Sequence, residues 1–187
     1  MSTLIQRTIC PFSFGGRYPS MPDGRDGLIE RLYPSSIPSM ECQAISLRIA
    51  AALLEHVESE DLGRVLQASS GIALSRKVIR PDIMFVARER RGIIGKSGLH
   101  AAPDLIVEVL SAARREKHLR AMKHLYTALE VKEYWIVHPD NNTVEVLVWS
   151  ELGYISAGIY SKNDILYSPL LPRFRLPLSN VFRIEDE

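Results

Sequence analysis

Residues 103–111, PDLIVEVLS, hold a nearly continuous apolar run: Leu105, Ile106, Val107, Val109 and Leu110. Runs of this kind form strands covered on both faces, so the chain must supply an apolar layer on each side of this one. Glu108 interrupts the run. A carboxylate at a buried position is costly unless a donor or a cation meets it. The surroundings of Glu108 are therefore the first place to look for chemistry.

The covering layers are legible. MECQAISLRIAAALLEHVE repeats Cys42, Ile45, Ile49, Ala52, Leu53, His56 and Val57 at helical spacing, with Ser39 placed to cap it and Glu41 in the first turn. Residues 112–130, AARREKHLRAMKHLYTALE, form the strongest helix, with Leu119, Met122, Leu125, Tyr126 and Leu129 on one face. GRVLQASSGIALS carries one or two short strands. KVIRPDIMFVARE reads as a strand that starts or bulges at Pro81. RRGIIGKSGLHAA reads as a glycine-rich loop. VKEYWIVHP and NTVEVLVWSE are strands joined as a hairpin by PDNN. The proline-punctuated tail YSPLLPRFRLPLSNVF is expected to pack along an edge. Residues 1–27 read as an irregular arm and 28–187 as one domain, with a short strand over Leu28–Tyr33. The order of elements predicts an α/β fold, a mixed central sheet flanked by helices.

Composition excludes several classes. The formal net charge is +1, so no global field marks a nucleic-acid or membrane partner. No apolar run reaches the length of a membrane span. The start, MSTLIQRTICPFSFGGRYPS, lacks the pattern of a signal peptide. Cys10 and Cys42 form no C-x-x-C pair, which speaks against a zinc site and a disulfide framework. A reducing, cytoplasmic setting is the expectation.

Asp82, after Pro81, and Glu108 lie in two strong strand segments separated by the glycine-rich stretch. If those strands are neighbours, the two acids meet at one place on the sheet. Oxygen ligands from separate strands suit a hard divalent cation such as Mg²⁺. The plainer alternative pairs each acid with an Arg or Lys of a neighbouring helix. Asp104 follows Pro103 and is expected to make a turn at the strand entrance.

RPDIMFV, APDLIVEVLS and LYTALEVKEYWIVHPD, in this order, resemble the Uma-two family of bacterial endonucleases. DGLIERLYPSS and ILYSPLLPRFRL are weaker echoes, and the likeness runs from about Leu28 to Phe182. That family is restriction-endonuclease-like, in the PD-(D/E)XK superfamily. The resemblance implies metal-dependent phosphodiester hydrolysis, with Asp82 and Glu108 holding Mg²⁺ or Mn²⁺. It offers Glu30 as an upstream acid. It implies nucleic acid, DNA foremost, as partner, and leaves a homodimer open.

The chain departs from the family pattern at the lysine. The superfamily's usual position, two residues after the acid, is Leu110. The family instead carries its lysine on the following helix, four residues before the tyrosine. Here Tyr126 is that tyrosine and the position holds Met122. The family's aspartate seven residues after the strand-end serine is replaced by His118. Lys123 is the nearest cation and the catalytic candidate for the lysine's role; turned about 100° from Met122, it would need a bulge or a long reach. Arg115 and His118 share the helix face of Met122 and are candidate substrate contacts. Where the family often has a histidine, the chain has Cys42, best read as a small buried hydrophobe.

Tyr134 and Trp135 invite a base-stacking reading, but core packing is the stronger one. Basic residues gather at Arg88, Arg90, Arg91 and Lys96, and at Arg114, Arg115, Lys117, Arg120 and Lys123. Both groups are candidate phosphate contacts or solvated faces. The functional expectation is a metal-dependent endonuclease of weak activity. The competing class is a degenerate nuclease fold that binds nucleic acid or protein without cutting.

Overall fold

The computed structural model describes residues 39–67, 71–74, 77–96, 98–110 and 116–183. The expected arm at 1–27 and the strand at 28–33 lie outside them.

Helix α1 (Met40–Ser59) begins where Ser39 Oγ accepts from Cys42 N at 3.2 Å, the side-chain cap foreseen in the sequence. Its buried face carries Cys42, Ile45, Ile49, Ala50, Leu53 and Val57. Strand β1 (Gly63–Gln67) follows, then β2 (Ile72–Leu74) and β3 (Lys77–Ile79). β4 (Ile83–Ala87) begins after Pro81. The single strand expected around Pro81 is therefore two strands in two different sheets. Proline has no N–H to give a ladder, so the chain leaves one sheet before it and enters the other after it.

The stretch expected as a loop is also structured. A 3₁₀ turn spans Arg88–Ile93, then β5 (Ile94–Gly95) and β6 (Gly98–Leu99) pair antiparallel. Gly98 has φ 146°, and a Cβ there would stand 2.5 Å from Gly71 O. Only glycine allows that approach. With it, Leu99 N donates to Gly71 O at 2.8 Å, and the small sheet closes in the order β3-β2-β6-β5.

β7 (Leu105–Val109) is buried at all five residues. Helix α2 (Glu116–Ala128) carries the chain across to β8 (Glu133–His138), which runs parallel to β7. A 3₁₀ turn, with Asn142 in the left-handed region at φ 50°, joins β8 to antiparallel β9 (Thr143–Val148), which is the expected hairpin. β10 (Ile155–Ser161) adds an edge strand absent from the sequence reading. Its bulge near Ser156 and Gly158 and its mostly exposed residues break the alternation that would have marked it. The main sheet has the order β1-β4-β7-β8-β9-β10, with only β7 and β8 parallel. This is the mixed α/β sheet that the sequence predicts.

Alternation along the strands splits the core in two. Ile83, Phe85, Val107, Val109, Trp135 and Val137 face α1. Met84, Val86, Ile106, Tyr134 and Ile136 face α2, whose Met122, Leu125 and Tyr126 pack on them. Tyr134 and Trp135 point to opposite faces and both are fully buried, so neither offers a stacking surface. Cys42 is buried as expected.

The tail packs on the α1 face rather than along an edge. β11 (Ile165–Tyr167) and β12 (Arg175–Pro177) form a two-stranded sheet, and Leu166, Leu171, Phe174, Leu176 and Leu178 join the α1-side core. Glu133 pins this layer to β8. Its carboxylate accepts from Trp135 Nε1 at 2.6 Å, Ser168 Oγ at 2.7 Å and Leu170 N at 2.7 Å. Burial pushes the Glu133 carboxyl above its ordinary value, against the pull of those three donors.

Asp104 stands at the entrance of β7, as expected, but it is no surface turn. It is fully buried, and Oδ2 accepts from Ala87 N at 2.9 Å. Arg90 and Lys132 meet Oδ1 at 2.9 Å and 2.8 Å. Burial alone would raise its pKa. Together Ala87 N, Lys132 and Arg90 outweigh burial and hold it below the ordinary carboxylate value.

Replacing Glu133 by alanine strands three donors beneath the C-terminal layer. We expect Glu133→Ala to lower unfolding free energy by about 1–3 kcal/mol, the usual cost of leaving buried donors unmet. Urea unfolding followed by tryptophan fluorescence measures this, and an unchanged midpoint would dismiss the clamp.

Candidate active site

Pro81 places Asp82 at the mouth of β4. Ile83 pairs with Val107, so one further step of the antiparallel register sets Asp82 opposite Glu108. The carboxylate of Asp82 takes the place of a backbone partner: Oδ2 accepts from Val109 N at 2.7 Å. Glu108 points to the α2 side of β7 and is 1% exposed. Its Oε1 accepts from Tyr126 Oη at 2.7 Å. One acid is thus oriented by the backbone of the neighbouring strand and the other by the helix above it.

The donor set fits a hard cation. Both groups are carboxylates from adjacent strands. Mg²⁺ is commonly held by one or two protein carboxylates, with water and substrate phosphate completing its shell. Among the described residues, no group of three or more His, Cys, Asp or Glu could hold a metal ion.

Met122 is 1% exposed and packs in the core beside Tyr126, so the family's lysine position is apolar here. Lys123 turns away from it and meets Glu145 Oε2 at 3.2 Å. Glu145 on β9 is in register with Ile136, and Ile136 with Glu108. Lys123 thus pairs with an acid two strands from Glu108, and the structure does not bring its ammonium to the two acids. His138, the last residue of β8, lies near this pair. Its pKa falls below the ordinary 6.5 chiefly through burial; Lys123 adds to the fall, and Glu145 and Asp140 oppose it. Neither Glu145 nor His138 was singled out from the sequence, because only the cross-strand register sets them beside Lys123.

Glu30 and Arg115 lie outside the described residues. His118 is in the first turn of α2, and its side chain is likewise outside them. The loop arginines have structural partners. Arg88 and Arg91 reach Asp61 at 2.5 Å and 3.0 Å, and Arg90 reaches Asp104. Each of these three arginines thus has an acid partner. No helix among the described residues is long and apolar enough to cross a membrane.

The mixed sheet thus carries two oriented acids, Asp82 and Glu108, at the mouth of β4 and β7. A crystal structure of a "putative nuclease belonging to DUF820 from Anabaena variabilis ATCC 29413" has the same fold, with TM-score 0.66 and 15% identity over 80% of this chain and 84% of that one. The model of the Uma2 family, described as "Putative restriction endonuclease", matches residues 28–179. The chain belongs to the Uma2 family. No curated protein matches it.

The charges around His138 give a direct check of this geometry. Its titration midpoint, followed by NMR, should lie below 6.5. Glu145→Gln removes a charge that favours the imidazolium and should lower the midpoint further. A midpoint that rises in that variant would contradict the placement of Glu145.

Proposed function

We propose that this chain is a divalent-metal-dependent nuclease that hydrolyses phosphodiester bonds in nucleic acid, DNA foremost. Asp82 and Glu108 would hold Mg²⁺ or Mn²⁺. When bound, such a cation neutralises phosphate charge and makes a water more acidic. The observation that supports this reading is the β4–β7 register, which one step past its last pair, Ile83 with Val107, sets Asp82 opposite Glu108. The chain's own residues do the positioning. Val109 N fixes Asp82, and Tyr126 Oη fixes Glu108. The apolar wall of Met122, Ile106 and Ile136 keeps bulk water from the buried side of Glu108. Action on nucleic acid of the cell would place the protein in the cytoplasm.

A second reading has its own support. Met122 cannot orient water or offset charge, and Lys123 is held by Glu145. These two facts favour slow cleavage, and at the limit a nuclease fold that binds nucleic acid without cutting it.

Purified protein with Mn²⁺ should nick plasmid or cut single-stranded DNA slowly. Asp82→Asn and Glu108→Gln should each lower the rate by about 10²-fold or more, the scale of losing a group that stabilises transition-state charge. Tyr126→Phe removes an orienting partner and should weaken Mn²⁺ binding by about tenfold. Calorimetry that returns one Mn²⁺ affinity for wild type, Asp82→Asn and Glu108→Gln would end the metal reading.

The lysine deficit is tested by restoring it. Met122→Lys starts from the helix face that meets the sheet, and its ammonium can reach toward Glu108. We expect faster cleavage at unchanged KM, because the added charge acts on the transition state. A variant that folds, binds Mn²⁺ and cuts no faster would show that a lysine here is not what limits the enzyme.

A further inference from the structure

The cross-strand row that contains Glu108 holds another acid, which the proposed reaction leaves unused. Glu108, Ile136, Glu145 and Ile159 are in register on β7, β8, β9 and β10. Two strand spacings, about 10 Å, separate Glu145 from Glu108. The row goes from a buried carboxylate at Glu108 to solvent at Ile159, which is 68% exposed. Glu145 stands near the open end, and its carboxylate holds Lys123 Nζ at 3.2 Å.

We propose that Glu145 is a latch on Lys123: the ion pair keeps the ammonium over β9, and a nucleic-acid phosphate gains Lys123 only by displacing Glu145. This rests on the nuclease reading above and names how one contact of that site is regulated. Three features carry it. Lys123 stands one residue past Met122, so its stem leaves the helix toward β9 rather than toward the two acids. Glu145 puts a second carboxylate in the register row of Glu108, and among the described residues Lys123 is its ion-pair partner. The side chains of the pair are 33% and 22% exposed, so the pair is neither sealed in the core nor fully solvated. Pairs of this exposure are weak enough for a polyanion to open.

The latch predicts an unusual sign: removing an acid should strengthen binding through one particular lysine. The full chain is compared as wild type, Glu145→Gln, Lys123→Ala and the double variant. The probe is a phosphorothioate DNA duplex with Ca²⁺ in place of Mg²⁺. Glu145→Gln should bind about two- to fivefold tighter. The slope of log affinity against log salt should steepen by about 0.9, the value for one more phosphate contact on duplex DNA. Both gains should vanish in the double variant. A gain that persists without Lys123 would mean that Glu145 only repels the probe, and would overturn the latch. So would no gain at all.

A second measurement needs no nucleic acid. Acylation of Lys123 by an amine-reactive ester, read by peptide mass spectrometry, should run severalfold faster in Glu145→Gln. Equal rates overturn the latch even if DNA binds. If acylation accelerates but no variant binds the duplex, the nuclease reading falls, and with it phosphate as the displacing ligand.

Discussion

A strand whose residues are all buried needs an apolar layer over each face, and β7 is that strand. α1 and the C-terminal β11–β12 layer cover one side. α2, with the small β3-β2-β6-β5 sheet, covers the other. Every other element takes its place from this demand. The parallel partner β8 requires a crossover, and α2 is both that crossover and the lid over Glu108. The helix that closes the core thus also brings Tyr126 to the acid.

Four carboxylates, three buried and Asp82 half-buried, show how differently burial can be met. Asp104 is met by Ala87 N and two cations, and its pKa falls. Glu133 is met by three neutral donors, which do not offset burial, and its pKa rises. Both are architectural: one joins β4 to β8, the other joins the tail to the sheet. Asp82 and Glu108 sit elsewhere, at the mouth of β4 and β7, each oriented by a protein donor.

The departure at Met122 changes the electrostatics around the site. A lysine there would face the sheet. Moving the cation one residue on sends it to Glu145, so its charge stands two strands along the row from Glu108. The arrangement lowers the positive charge offered at the candidate metal position and leaves it near the sheet's open edge.

The sequence by itself determined the elements whose periodicity is unbroken. The cap at Ser39, the buried face of α1, the strand at Glu108, the helix with Met122 and Tyr126 inward, and the β8–β9 hairpin all followed from spacing and turn chemistry. Asp82 and Glu108 stood out because acids are rare in such apolar runs. The rest depended on contacts between distant segments. Pro81 signalled a break, but only the pairing of β3 and β4 with different partners made it a switch between sheets. Gly98 signalled a turn, but its need for glycine comes from Gly71 O. Asp104 looked like a turn residue because its partners, Ala87, Arg90 and Lys132, lie in other elements. Glu145 and His138 carried no signal at all. Their setting is created by register, and register is fixed by the packing of whole faces rather than by any residue's neighbours along the chain.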